Sequence, residues 1–536
     1  MTRLRTVLRL SAALMLLDAS ITFGNVWPTP AIRWTGQLSF ELAVCLLVVA
    51  LAGGARQPLS RRALSWLSAL WLLLVVGRYA DVTAPALYGR DVNLYWDLQF
   101  MPDVAAMVMQ AAPFGLIAGA AAAAAVGLLV LFVAIRWAVG QVDRVVAQSG
   151  PRRLLASLGI AGVTLFAVQE IQELRSPDIY DDDRRWVPVP VTVAYARQAR
   201  LAIEAMTRPA TLAPSPPMDA DFARVRDADV YLIFIESYGA VSWERPEFAR
   251  GLAAARAALE ADIHATNRNV VSAYIESPTF GGNSWLAHIS LLSGVEVRDP
   301  HTNALLMREK RDTLATAFSR AGYRTLALMP GLQRPWPEGR FYGFDETYTA
   351  ETLRYPGPDF GWFGVPDQMS LAWLDAREIN HAAHPPLFVF FPTLSTHFPF
   401  SPRPPYQPNW PRLLTDDKYD AADLARAYEE ELDWVDFGPA YVNAVAYVYA
   451  TIGGYLRLRP DRDVVMILVG DHQPPAAVSG EGAPWDVPVH IVASRQPVLD
   501  RLVARGFRSG LAPARPTLSR THELLPVLLE AFGDHR

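Results

Sequence analysis

Phe280-Gly281-Gly282-Asn283-Ser284-Trp285-Leu286-Ala287-His288-Ile289-Ser290-Leu291-Leu292-Ser293-Gly294 is the stretch around which the chain is organised. Two glycines and an asparagine permit a tight turn. From Ser284 onward, Leu286, Ile289 and Leu292 recur at helical spacing, and Gly294 supplies the stop. Ser284 thus stands where a loop becomes a helix. The first turn of a helix carries unpaired N–H groups and the positive end of the dipole, which favour a phosphate or sulfate and an ionised hydroxyl. A serine there is either a nucleophile or an ordinary N-cap. Only partners elsewhere in the chain distinguish the two.

Those partners are sought at strand ends, because ligands of open α/β sheets collect beyond the carboxyl ends of the strands. Short apolar runs at 230–235, 270–274, 325–329, 387–391, 464–469 and 487–492 read as strands. They alternate with helical patterns at 284–293, 312–321, 367–379, 421–457 and 522–532, the signature of a mostly parallel sheet covered on both faces. Strand 230–235 runs into Glu236. Strand 387–391 runs into Pro392-Thr393-Leu394-Ser395-Thr396-His397-Phe398-Pro399-Phe400, and strand 464–469 into Gly470-Asp471-His472. Singly, these are a helix cap, a packed histidine and an Asx turn. Jointly, Glu236, Ser284, His397, Asp471 and His472 make a Glu/Ser/Asp/His set at strand ends, suited to a hard or borderline divalent cation.

The bulk numbers add a second part to the molecule. At 536 residues more than one domain is expected. A net charge of -5 gives no sign of nucleic-acid binding, whereas 51% hydrophobic residues and a mean hydropathy of +0.12 point to membrane segments. About five apolar runs, at 7–24, 37–54, 63–80, 114–136 and 153–171, predict a transmembrane helical bundle. Arg9 and Asp18 interrupt the first, and no small-residue cleavage site follows it, so a removable signal peptide is not expected. Asp18 is expected to pair within the bundle or with Arg9 rather than to serve as a buried functional carboxylate. Arg3, Arg5, Arg56, Arg61, Arg62, Arg136, Arg144, Arg152 and Arg153 lie in alternate loops. This bias predicts a cytoplasmic N-terminus and, after an odd number of spans, an external C-terminal part. Cys45, the single cysteine, rules out an intrachain disulfide and a thiolate cluster. The expected domains are 1–171 for the membrane part, 172–228 for a polar, Pro-containing connector, and 229–536 for the catalytic part. Within the connector, 193–206 patterns as an amphipathic helix, either interfacial or solvated.

The order Glu236 after a strand, Gly-Asn-Ser284 opening a helix, Leu-Ser-Thr-His397-Phe-Pro-Phe, and Gly-Asp471-His472 after a strand, behind about five spans, resembles the membrane-anchored branch of the alkaline phosphatase/sulfatase superfamily. It looks most like lipoteichoic acid synthase and the phosphoglycerol transferases of periplasmic glucans, with phosphoethanolamine transferases more distant. The resemblance implies an α/β alkaline phosphatase/sulfatase-like domain in which Glu236, Ser284, Asp471 and His472 hold one Mn²⁺, Mg²⁺ or Zn²⁺. It implies that Ser284 and His397 are catalytic. Trp336, Arg340 or Arg334, Asn283 and His288 are the implied substrate contacts. Glu338 stands where the family has an arginine two residues after the tryptophan. The related transferases generally use threonine, where this chain has Ser284. Leu286 and His288 replace the Pro and Arg that accompany formylglycine conversion in sulfatases, which disfavours that activity.

The implied function is metal-dependent transfer of a phospholipid head group, phosphoglycerol foremost, to a periplasmic glycan or lipid through a phosphoseryl intermediate, at a bacterial inner membrane. The rival expectations are phosphoethanolamine transfer, hydrolysis on the same fold, a non-catalytic head-group or glycan receptor, and, more remotely, a transporter.

Overall fold

The structure, a computed structural model, describes residues 2–52, 59–146, 148–175, 185–207, 212–333, 336–361, 364–380, 384–430 and 432–534. The chain divides into two compact units, 1–208 and 209–536.

In the first unit, helices Thr2–Ala19, Phe40–Ala52, Arg61–Tyr88, Phe114–Val146 and Ser149–Arg175 occupy the five apolar runs. Three of them, Arg61–Tyr88, Phe114–Val146 and Gly150–Arg175, are long and apolar enough to cross a membrane. Phe40–Ala52 is a shorter apolar helix. Thr2–Ala19 is not among them, since Arg3, Arg5, Arg9 and Asp18 dilute its apolar surface. The expectation of about five spans therefore becomes three to four apolar helices among the described residues. Phe114–Val146, at 33 residues, is about 50 Å long, ample for a hydrocarbon core of about 30 Å. Asp18 accepts the Ser39 backbone N–H at 2.8 Å, the pairing within the bundle expected of it. Helix Val191–Thr207 packs in this unit: Glu41 accepts the Thr192 N–H, and Arg197 pairs with Asp81 and Asp91.

The second unit is built on a nine-stranded sheet. Its strands are β1 (Asp229–Ile235), β2 (Asn269–Glu276), β3 (Arg324–Met329), β4 (Glu346–Thr349), β5 (Leu387–Pro392), β6 (Val464–Gly470), β7 (Asp486–Ala493), β8 (Arg508–Ser509) and β9 (Ser519–Arg520). The order is β8-β2-β7-β6-β1-β5-β3-β4, with β9 on β2. β6, β1, β5, β3 and β4 run parallel, whereas β7 is antiparallel to both β2 and β6. Tyr231, Ile233 and Ile235 of β1 enter one core, and Val230, Leu232 and Phe234 enter the other. This is why the strand reads as an unbroken apolar run rather than an alternating one. The first core is closed by helix Gly438–Leu458, the second by Trp285–Ser293 and Leu524–Phe532.

The single helix expected over 421–457 is two, Ala421–Glu429 and Gly438–Leu458. Pro439, without an N–H, cannot continue a helix from the preceding residues but fits the first turn of a new one. The Asp433 side chain accepts the Val435 and Asp436 N–H groups in the break. The short strands β4, β8 and β9 carry too little apolar sequence to be recognised alone.

Candidate metal centre and nucleophile

β1, β6 and the helix after Ser284 bring their ends together. The turn before the helix uses Gly281 (φ 64°), Gly282 (φ 147°) and Asn283 (φ 60°), left-handed conformations that glycine and asparagine tolerate. Gly281 N–H is tied to the Gln473 carbonyl at 3.1 Å, which fixes the turn against the residues following β6. Ser284 occupies the N-cap position of Trp285–Ser293, yet its side chain makes no capping bond. Its Oγ instead donates to Glu236 Oε2 at 2.8 Å. The bland alternative for this serine, a cap, is not what its hydroxyl does.

Glu236, Asp471 and His472 are buried, and one ligand atom from each lies within 4.8 Å of the other two. His472 Nδ1 donates to the Gln473 carbonyl at 2.7 Å, so Nε2 presents its lone pair. That lone pair sits 3.3 Å from Glu236 Oε1 and has no hydrogen-bond partner. A lone pair facing a carboxylate oxygen in a buried site requires a proton or a cation between them. Burial opposes the charged imidazolium, but the Asp471 and Glu236 carboxylates outweigh it and push His472 up to about 9. Burial likewise opposes the Glu236 charge, and His472 beside it holds that carboxyl well below the usual range. Burial, then the Glu236 charge, push Asp471 well above it. Donors about 2.0–2.2 Å from one zinc ion lie roughly 3–3.5 Å apart, and His472 Nε2 and Glu236 Oε1 are 3.3 Å apart. On this chemistry the residues fit a divalent cation.

Several groups hold these donors that the sequence alone did not single out. Ser237, at φ 53°, gives its N–H to Asp471 Oδ1 at 2.8 Å and its Oγ to Glu236 Oε1 at 3.0 Å. Thr393 Oγ1 accepts the Glu236 N–H, and Tyr441 Oη donates to the Ser237 carbonyl at 3.0 Å. Gly470 is required: a Cβ there would lie 1.9 Å from the Tyr238 carbonyl oxygen. Ser237 is the neighbour of a predicted ligand and was within reach of inspection. Thr393 and Tyr441, 157 and 204 residues from their partners, carry no such signal.

His397 lies in the loop after β5, which Asp367 fixes by accepting the Leu394 and Ser395 N–H groups. Its Nδ1 donates to the Phe398 carbonyl at 2.7 Å. His288, one turn after Ser284, is buried against Phe234 and Phe390, ring centroids 4.5 and 5.5 Å away. Burial pushes its pKa down to about 3, so it is neutral. Asn283 is half-buried beside the serine. Trp336 and Arg340 line a cleft of about 440 Å³ that none of Glu236, Ser284, Asp471 and His472 lines. Arg334 lies outside the described residues.

Residues 295–488 match the family model described as Sulfatase. No curated protein matches the chain. Among solved structures, the chain is similar to the integral membrane lipooligosaccharide phosphoethanolamine transferase A of Neisseria meningitidis, with 13% identity over 92% of this chain and 96% of that one, TM-score 0.45. It is also similar to the lipoteichoic acid synthase LtaP of Listeria monocytogenes, with 13% identity over 60% and 78%, TM-score 0.38. The Streptococcus pyogenes phosphoglycerol transferase GacH in complex with sn-glycerol-1-phosphate gives 11% identity over 58% and 76%, TM-score 0.35. With Asp471 and His472 inside the matched segment and the mostly parallel sheet beneath them, the C-terminal unit of this chain has a sulfatase-like α/β fold, preceded by apolar helices long enough to cross a membrane.

Proposed function

We propose that the protein transfers the phosphorylated head group of a membrane phospholipid, phosphoglycerol in the first place, to a glycan or lipid acceptor outside the inner membrane. The observation that carries this reading is the Ser284 hydroxyl: it stands at a helix N-terminus, leaves its cap unmade, and points at Glu236 in a buried Glu-Asp-His cluster. Glu236, Asp471, His472 and Ser284 would hold one Mn²⁺, Mg²⁺ or Zn²⁺, which supplies positive charge that favours the ionised hydroxyl and offsets phosphate oxygens.

Ser284 Oγ, its proton lost to solvent because a bound cation and the helix N-terminus would favour the ionised hydroxyl, attacks the phosphorus of the phosphodiester. The bond from phosphorus to the diacylglycerol oxygen breaks as the Oγ–P bond forms, and His397 Nε2 gives that oxygen its proton. In the second half, His397 takes the proton of the acceptor hydroxyl, whose oxygen attacks the phosphorus while the Oγ–P bond breaks and Ser284 Oγ leaves in its ionised form, ready for the next donor. The N–H groups at the start of Trp285–Ser293 face the charge that develops on the phosphoryl oxygens. Covalent attachment to membrane helices keeps this unit where a lipid donor is concentrated.

Intact-mass measurement of the purified protein incubated with candidate phospholipids tests the reading. A mass increase equal to one phosphorylated head group, absent in Ser284→Ala, is expected. Turnover without any adduct trapped at Ser284, or an adduct that survives Ser284→Ala, would overturn it. Release of free head group without an acceptor would instead identify a hydrolase.

A further inference from the structure

A second cleft, of about 550 Å³, opens on the flank of the C-terminal unit between helix Asp367–Leu374 with its continuation Asp375–Ile379 and the segment 413–418. Met369, Trp373 and Arg377 line it from one face of that helix, at four-residue spacing. Arg354 and Lys418 line it from the other side, and Asp416 is the one acidic residue in the lining. None of the residues around Ser284 contributes to it.

Lys418 is the decisive group. It is only 4% exposed, and lysine is almost never buried without a counter-charge. Its ammonium gives one hydrogen bond to the Thr415 carbonyl and lies 5.9 Å from the Tyr355 ring. No carboxylate is within ion-pair distance of it among the described residues. An anion brought to a buried ammonium compensates its charge. Arg354, held at φ 45°, also meets no carboxylate among the described residues. The Arg377 guanidinium stands over Trp373 and Tyr348, ring centroids 5.6 and 5.8 Å away, and pairs with Glu378 at 4.0 Å. Three cations thus converge on a cleft large enough for a ligand, and the deepest one has no anion.

We propose that this cleft is a second binding site, which takes a phosphate-bearing ligand through Lys418, Arg354 and Arg377. The guanidinium groups provide the forked donors that phosphate oxygens accept, and the ammonium a point charge at the floor. Arg377 lies ten residues along the helix from Asp367, about 15 Å, and Asp367 anchors the loop of His397. Resting on the transferase reading for the identity of its ligand alone, the site suits the phosphate of an extended acceptor or of a neighbouring phospholipid.

Calorimetric titration of the full-length Ser284→Ala protein, in zwitterionic nanodiscs with divalent metal, tests this with inorganic phosphate and glycerophosphoglycerol as probes. A binding event is expected whose Kd rises at least tenfold in Lys418→Met and in the exposed pair Arg354→Ala/Arg377→Ala, while Glu236→Gln leaves it in place. An isotherm unchanged by both sets of substitutions, or abolished by Glu236→Gln alone, would overturn the proposal. The thermal midpoint of Lys418→Met without phosphate is expected to equal or exceed that of the parent. A fall of more than a few degrees would make Lys418 a structural group and also overturn it. Competition by phosphatidylglycerol added to the nanodiscs assigns the site to a lipid head group, and its absence assigns it to a soluble phosphodiester. Because nothing here turns over, failure leaves the Ser284 adduct experiment independent.

Discussion

Ser284 illustrates how one contact changes the meaning of a residue. By position it is an N-cap, and by its hydrogen bond to Glu236 Oε2 it belongs to the donor cluster. Glu236→Gln keeps the volume but removes the charge that His472 and a cation both face. Metal content after dialysis is expected to fall at least tenfold, measured by elemental analysis. Ser237→Ala removes one donor from Glu236 Oε1 while leaving the ligands, so a loss smaller than that of Glu236→Gln is expected, at or below the low end of the roughly 10–100-fold effects of outer-shell groups. Equal loss in the two variants would mean that Ser237 is itself a ligand. Glu236, Ser284, Asp471 and His472 were legible because each follows a strand or opens a helix. Ser237's left-handed backbone was not, since nothing local in Glu-Ser-Tyr demands it.

At the scale of elements, the site depends on β6 passing close to the residues that leave β1. Gly470→Ala would place a methyl group 1.9 Å from the Tyr238 carbonyl oxygen, a backbone atom that cannot turn aside. The end of β6 must shift, and Asp471 and His472 with it. Loss of metal and a fall of several degrees in the thermal midpoint are expected together, by elemental analysis and calorimetry. A variant with the parent's metal content would show that the two chain ends have slack. Gly282→Ala, at φ 147°, meets no neighbour, and its cost is conformational, about 1–3 kcal/mol. The strands at 230–235, 387–391 and 464–469 were readable from their apolar runs. The break after Glu429 was missed because helical periodicity resumes beyond Pro439.

Across the whole molecule, buried histidines make stability depend on acid. His490 is fully enclosed, bonded to Tyr238 Oη at 3.0 Å and Ser272 Oγ at 2.7 Å, and burial pushes its pKa down to about 3. An unfolded chain binds its proton near pH 6.5 and the native one only near 3. Stability is therefore complete above pH 6.5 and falls as the pH drops through that window, at about 1.4 kcal/mol per unit. Unfolding free energy measured from pH 7 to 4 is expected to flatten by one proton in His490→Gln. An unchanged slope would mean that the network takes up the proton when folded. Chelator is expected to lower the thermal midpoint in proportion to metal affinity, because the cation binds only the assembled donors.

The amino-acid sequence by itself determined that apolar helices precede an α/β sheet, and it named the strand ends at which Glu236, Asp471 and His472 gather. Both are properties of local periodicity and of which residue follows a strand. Tertiary structure alone decided that Ser284 turns to Glu236, that β7 runs against its neighbours, and that Trp336 and Arg340 line a cleft of their own. It also decided that Lys418 is buried with no carboxylate within ion-pair distance among the described residues. Such facts depend on contacts between segments tens to hundreds of residues apart, whose geometry is set by how two cores close around one sheet and not by any neighbouring residue.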